Sequence, residues 1–271
     1  MATPIGNLRD LTLRALDVLR MVDLVAAEDT RVTRQLLQHY SIDVKTTAVH
    51  EHNEIQAAEH LVGLLRQGKS VALVTDAGTP AISDPGSRLV RRVREAGLRV
   101  VPVPGPSAAI AALSVAGLTD GRFLFYGFLP ARGAGRRREL GRLRDLPWWL
   151  VFYEAPHRAR ETVADFAEVF GSGRELIIAR ELTKLFETLH ACTLGDALAW
   201  FDADPNRLKG EFVLIVEGAP PERDTGAEEA ERVLQLLLGE LPLKQAVRLA
   251  TEITGAKKNA LYERALELRK D

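Results

Sequence analysis

An α/β chain is predicted by the sequence, with a doubly wound parallel sheet first, a mixed sheet second and a small helical tail. Three features carry that expectation. Apolar, β-branched runs alternate with amphipathic helical stretches up to residue 116, the rhythm of a parallel sheet. Two of the connections, DAGTPAISDPGS (76–87) and PGPS (104–107), are crowded with Gly, Pro, Asp and Ser; the first is longer than the usual βα loop of about two to six residues. Beyond residue 122 consecutive strands mix with helices, so that sheet is expected to be mixed. Loops at the carboxyl ends of parallel strands line the crevice where ligands bind, which places a candidate site at these two connections.

The elements follow in order. MATPIGN (1–7) is loop, broken by Pro4 and Gly6, ahead of a helix that Asp10 is placed to cap and that carries Leu13, Leu16 and Leu19 on one side. Residues 23–27 read as a strand running into AEDTR (27–31), with Thr30 as the cap of a helix ending near Tyr40. A short strand at 46–49 leads to HEHNE (50–54) and a helix over 54–66. The strand at 71–75 is followed by a helix opening near Ser87; the strand at 100–103 is followed by PGPS and the helix AAIAAL. Gly117 and Gly121 mark a junction. Further strands are expected at 123–128, 148–153, 175–179, 188–193 and 211–216, with helices from EAPHR (154–158) to Phe170 and over 196–201. PARGAGRRRELGRLRD (130–145) holds six arginines against two acids, with Gly133 and Gly135 making its first part mobile. APPERDTGA (219–227) is a linker by composition. Helices then run over 228–238 and on both sides of Gly255, as a helix-turn-helix with Lys244, Arg248, Lys257, Lys258 and Arg264 facing nucleic acid, or equally as a plain helical cap or dimer contact. The expected domains are 1–116, 117–218 and 228–271.

Composition excludes several classes. Of 271 residues 46% are hydrophobic and 27% charged, ordinary for a globular protein, and a net charge of −1 offers no global field for nucleic acid. Cys192 is the only cysteine, which excludes an internal disulfide and a multi-Cys zinc site. No signal-peptide pattern and no membrane-length apolar run appear, so a reduced, cytoplasmic setting is expected. No GxxxxGK[ST], GxGxxG or GxSxG motif is present, against P-loop, dinucleotide and nucleophile-elbow chemistry. His50, His52 and Glu54 alternate as ligands on a strand would, but a short solvated His/Glu run is the plainer reading and no metal is expected. What remains is a crevice of Gly, Pro, Ser and carboxylates suited to a zwitterionic or uncharged ligand, with small residues at 108, 109, 111 and 112 admitting a flat one.

The motifs ATPIGNLRDLT, AEDTR, HNE, VTDAGTPAISDPG, VPGPSAAIAAL, FYGFLP, FYEAPHR, ARELTK and GEFVLIVEG run from Ala2 to about Gly218. With them the chain resembles the tetrapyrrole-methylase superfamily, and within it the ribosomal RNA small subunit methyltransferase I group; DAGTPxISDPG separates this group from the porphyrin methylases. The resemblance implies two α/β domains, S-adenosylmethionine in the cleft between them, a homodimer, and as substrate the ribose 2′-hydroxyl of a cytidine in the decoding region of 16S ribosomal RNA. Carried over motif by motif, the donor contacts are Pro4, Ile5, Gly78, Ile82, Ser107, Ala108, Tyr153, Arg180, Phe212 and Val213. The resemblance also implies a short apolar strand ahead of ATPIGN, where only Met1 and Ala2 stand; either the true start lies upstream, or the first sheet is one strand short and the chain less stable or inactive.

A ribose hydroxyl is a poor nucleophile and is helped by a base or a neighbouring charge. Glu154, His157, Glu181 and Lys184 are the candidates on the second domain, Glu28 and Asp29 across the cleft; the plainer reading of each carboxylate is a salt bridge to Arg31, Arg158 or Arg180. Arg132, Arg136, Arg137 and Arg138 are expected to hold RNA phosphates without reading sequence. Two further readings stay open: a small-molecule methyltransferase of the porphyrin type, and a non-catalytic RNA-binding assembly factor.

Overall fold

The computed structural model describes residues 1–50, 53–118, 121–220 and 225–268, the side chains of 225–228 excepted. Two compact units result, Met1–Gly218 and Ala219–Asp271. The first unit opens with α1 (Leu13–Met21), β1 (Leu24–Ala27), α2 (Thr30–His39), β2 (Thr46–Ala48), α3 (Glu54–Arg66), β3 (Val71–Val74), α4 (Ser87–Glu95) and α5 (Ala108–Val115). The three strands form a parallel sheet in the order β2-β1-β3. With β1 in the middle, the chain leaves it in opposite directions on its two sides, and the loops after β1 and β3 meet at that switch point. Leu19, Val25, Leu36 and Val74 close one face, and Leu61, Val62, Leu89 and Val93 the other.

The unit continues with β4 (Phe123–Phe128), α6 (Gly133–Leu143), β5 (Trp149–Glu154), α7 (Pro156–Phe170), β6 (Glu175–Arg180), β7 (Thr188–Thr193), α8 (Leu194–Asp202) and β8 (Phe212–Val216). The sheet order is β4-β5-β8-β6-β7, with β4 and β5 parallel and every other pair antiparallel. This is the expected mixed sheet. Phe152, Phe166, Ile178, Phe201 and Leu214 fill one face beneath α7 and α8. Val151, Ile177, Ala179 and Val213 on the other face pack on Ala109 and Ala112 of α5. Strand alternation thus splits neighbouring residues such as Phe152 and Val151 between two cores.

Four local expectations are corrected. Residues 100–103 form no strand: a ladder needs a partner, and the chain's start offers them the Ala2 N–H, donated to the Val103 carbonyl at 3.3 Å, without a ladder. Thr12, not Asp10, caps α1, its hydroxyl accepting from the Ala15 N–H at 3.2 Å, while Asp10 closes a 3₁₀ turn. Asp29, not Thr30, caps α2, because its carboxylate accepts the Arg31 N–H at 2.8 Å and Thr30 is already helical. Gly133 and Gly135 are not a mobile stretch; they open α6, which Arg136 fastens to α7.

The second unit holds α9 (Thr225–Glu240), α10 (Leu243–Thr254) and α11 (Lys258–Leu268) around Leu234, Val247 and Leu261. Gly255, at φ +71°, ends α10 in the left-handed region and starts the turn to α11. Arg264, one of the basic residues of the expected nucleic-acid face, is paired with Glu231 and Glu267. No helix among the described residues is long and apolar enough to cross a membrane.

Candidate active site

The loop after β3 is pinned at both ends. At its start Thr3 and Gly78 exchange backbone hydrogen bonds of 2.9 and 3.0 Å, and the Thr3 hydroxyl donates to the Thr75 carbonyl at 2.9 Å. Gly78 sits at φ +81°, open to glycine at little cost. That exchange lays the Pro4–Ile5 loop over Gly78. At the far end, buried Glu54 accepts the N–H groups of Gly86, Arg88 and Leu89 at 3.1, 2.8 and 3.0 Å, satisfying the orphan amides of α4. Glu54 is thus committed to a helix terminus and not to a metal; His52 lies outside the described residues. The Thr79 hydroxyl donates to the Pro106 carbonyl at 3.0 Å and ties this loop to the PGPS loop.

Between these loops and the strand ends of the mixed sheet lies a cavity of about 400 Å³. Ile5, Gly78, Ile82, Ser107 and Ala108 line it from one side, Tyr153, Phe212 and Val213 from the other. Eight of the ten expected donor contacts therefore converge. Pro4 instead lines a smaller depression next to it, with Gln35 and Asp76. Arg180 is displaced from the set: its guanidinium donates to the Lys209 carbonyl at 2.9 Å and faces away, and its neighbour Ala179 lines the cavity. Thr79, Asp84, Phe128, Leu182 and Glu211 also line it, beyond the contacts that the motifs imply. For Asp84 a signal existed, an Asp between Ser83 and Pro85 in the most unusual loop; Leu182 and Glu211 carried none.

The walls fit S-adenosylmethionine, the donor the resemblance implies. Ile5, Ile82, Leu182 and Val213 supply apolar walls, and small Gly78, Ser107 and Ala108 admit close backbone approach. Volume and character are those of a site for a ligand of that size. At the start of α5 the Ala109 N–H donates to the Tyr153 hydroxyl at 3.1 Å. Burial keeps that phenol's pKa above its ordinary value.

The second-sheet candidates for a base are placed as follows. Glu154 has a fully enclosed carboxylate that accepts from the Thr162 hydroxyl at 2.6 Å and the Ala155 N–H at 2.9 Å beside Arg158 at 3.2 Å. It is a structural ion pair. Lys184 bridges Glu181 at 2.9 Å and Glu211 at 2.8 Å. Burial opposes the charge on Lys184, but the two carboxylates outweigh it and raise its pKa, so it stays a cation and is no base. Burial likewise pushes Glu181 up, yet the Glu211 N–H and Lys184 bring it below its ordinary value. His157 is exposed on the first turn of α7 and does not line the cavity.

Across the cavity the acids are less well matched. Asp29 is held at about 2 by its hydrogen bonds to Arg31. Glu28 and Asp76 are raised, chiefly by burial; the Asp76 carboxylate accepts the Asp29 N–H at 3.0 Å and Glu28 accepts the Asp76 N–H at 3.3 Å. Asp84 is pushed up to about 6 by burial and then by Glu28, with the Thr75 hydroxyl opposing.

The arginine cluster separates. Arg136 is 3% exposed and paired with Asp165 and Glu161, so it is withdrawn from any phosphate surface; at i, i+4 with Leu140 and i, i+7 with Leu143 it falls on the buried face of α6. Arg137 is half-exposed but also holds Asp165, at 2.8 Å. Arg132 and Arg138 face solvent.

The family model of tetrapyrrole (corrin/porphyrin) methylases matches residues 2–198, and that of the RsmI C-terminal HTH domain matches 224–269. The chain is 55% identical over 265 residues to ribosomal RNA small subunit methyltransferase I of Escherichia coli O157:H7, covering 98% of this chain and 93% of that one. It is 53% identical over 269 residues to the protein of the same name from Pseudomonas aeruginosa, covering 98% and 95%. Two solved structures share the fold. They are uroporphyrin-III-C-methyltransferase from Thermus thermophilus (TM-score 0.55, 22% identity, 79% of this chain and 91% of that one) and the cobalt precorrin-4 methyltransferase (0.58, 15%, 79% and 92%). The chain belongs to the tetrapyrrole methylase family and, within it, to the ribosomal RNA small subunit methyltransferase I proteins.

Proposed function

We propose that the protein transfers a methyl group from S-adenosylmethionine to the ribose 2′-hydroxyl of a cytidine in the decoding region of 16S ribosomal RNA, acting on the small ribosomal subunit in the cytoplasm as a homodimer. The observation that carries the reading is the convergence of eight motif-assigned residues on one cavity, in a chain 55% identical to a ribosomal RNA small subunit methyltransferase I. The donor supplies an electrophilic methyl on a sulfonium. The protein's part is placement and exclusion of water. Buried Ile5 and Val213 wall off solvent, while the Thr3–Gly78 and Thr79–Pro106 hydrogen bonds fix the two loops that hold the ligand. Arg132 and Arg138, with half-exposed Arg137, are the arginines of the cluster open to RNA phosphates; such contacts position a strand without reading its bases.

The test is transfer of radiolabelled methyl to small subunits that lack the modification, followed by mapping of the labelled nucleotide. Label in the ribose of one decoding-region cytidine is expected. Label on a base, or transfer to a porphyrin and not to RNA, would replace this reading.

A further inference from the structure

We propose that Asp84 is the base that takes the proton of the acceptor hydroxyl during methyl transfer. The inference rests on the function proposed above and adds to it a residue that the motif-by-motif assignment does not contain.

The cavity decides between the candidates. Its ionisable lining residues are Asp84, Tyr153, Glu154 and Glu211. Glu154 is sealed, with a side chain 0% exposed and its oxygens engaged by Thr162, Ala155 and Arg158. Glu211 is bound to Lys184. The Tyr153 oxygen already accepts the Ala109 N–H, and its phenol holds its proton. Asp84 has no ion-pair partner among the described residues, and the Thr75 hydroxyl is the group that steadies it. Its loop is held in a costly shape. Ala81 and Ser83 stand at φ +67° and +64°, and Ser83 packs so close to Gly127 of β4 that a Cβ there would lie 2.6 Å from the serine oxygen. Positive φ at two non-glycine residues costs on the order of 1–3 kcal/mol each and persists only where the surroundings over-determine it. Here the Glu54 clamp on one side and the β4 contact on the other do so.

The groups that face Asp84 are Glu28 from the end of β1, Asp76 from the end of β3 and Tyr153 from the end of β5. Two of the three are acids, and none is a cation. With burial they move its carboxyl up to about 6. Near neutral pH such a group is ionised, yet basic enough to accept a proton. In the step, the 2′-oxygen forms its bond to the methyl carbon. The sulfur–carbon bond breaks with its electron pair left on sulfur, and the hydroxyl proton passes to the Asp84 carboxylate.

The experiment is single-turnover methyl transfer to unmodified small subunits by the full chain and by Asp84→Asn, across pH, with donor binding by calorimetry and thermal melting of both proteins. The parent's rate is expected to rise about tenfold per pH unit in the acid range and to level off above a midpoint near 6. Asp84→Asn is expected to lose about 100-fold or more in rate and the acid limb with it, while donor affinity stays within about threefold. Melting gives a readout apart from activity: the parent is expected to lose melting temperature relative to Asp84→Asn as pH rises through about 6. Asp84→Asn transferring methyl within about threefold of the parent, on the same pH profile, overturns the proposal. Should Asp84→Asn not fold, the parent decides alone, and a level rate between about pH 5 and 8 overturns it. If the parent labels no ribose, the functional reading itself fails and the proposal with it. Ribose labelled by both proteins alike defeats the proposal alone.

Discussion

At the cavity the mixed sheet brings its acids already paired, whereas the parallel sheet pairs Asp29 with Arg31 and leaves three acids without a cation. Glu154 sits against Arg158 and Thr162, and Glu181 and Glu211 share Lys184. Glu28, Asp76 and Asp84 have backbone amides or a hydroxyl as neighbours, and no ion pair among the described residues. The difference is one of pKa as well as geometry: Glu181 is lowered, and Glu28, Asp76 and Asp84 are raised. Paired acids serve as framework. Unpaired ones cost stability and can exchange protons, and that is how a reactive site differs from the scaffold around it.

Breaking the pairing of the mixed sheet should have the largest effect. Asp165→Ala leaves Arg136, 3% exposed, without its main partner, and about 3–5 kcal/mol of stability should be lost in urea unfolding. A loss under about 1 kcal/mol would show that water reaches Arg136 and that this pairing is no framework. Next in size is Gly127→Ala. It places a Cβ 2.6 Å from the Ser83 oxygen at φ +82°, so a cost of about 1–3 kcal/mol is expected. Donor affinity should fall with it, because the Asp84 loop shifts; unchanged calorimetric affinity would separate that loop from the donor site. The proposed RNA contact comes third. Arg132→Ala with Arg138→Ala should leave melting unchanged and lower the salt slope of small-subunit binding by about two; an unaltered slope would move the RNA contact elsewhere.

The smallest effect runs in the other direction. A carboxyl whose pKa is raised by folding contributes stability that is present below its unfolded value and lost as pH rises through the folded one. For Asp84 that window runs from about 4 in the unfolded chain to about 6 in the fold. Above it Asp84→Asn should be the more stable protein. The gain should be on the order of 1 kcal/mol, once the shift is discounted for a half-buried group open to solvent.

Much of this is legible in the sequence alone. Gly78, Pro80, Pro85 and Gly86 marked the loop after β3 as built for a purpose, and periodicity placed nearly every element. What escaped depended on partners distant in sequence. Residues 100–103 have the composition of a strand but no ladder partner, and composition cannot report that. Arg136 and Arg138 look alike in sequence; a turn of helix directs one to Asp165 and the other to solvent. Glu154 and Glu181 were reasonable bases as residue types. Glu154 takes the Arg158 salt bridge of its plainer sequence reading, whereas Glu181 turns to Lys184. Asp84 was in view throughout, but its isolation from cations is a property of three dimensions.

The most direct test of the contrast between the two sheets is a carboxyl-carbon NMR titration of the protein, with Asp84→Asn and Glu181→Gln used for assignment. The Asp84 signal is expected to move with a midpoint near 6, and Glu181 to titrate below an ordinary glutamate. Both signals moving together near 4, as in unperturbed side chains, would contradict the account.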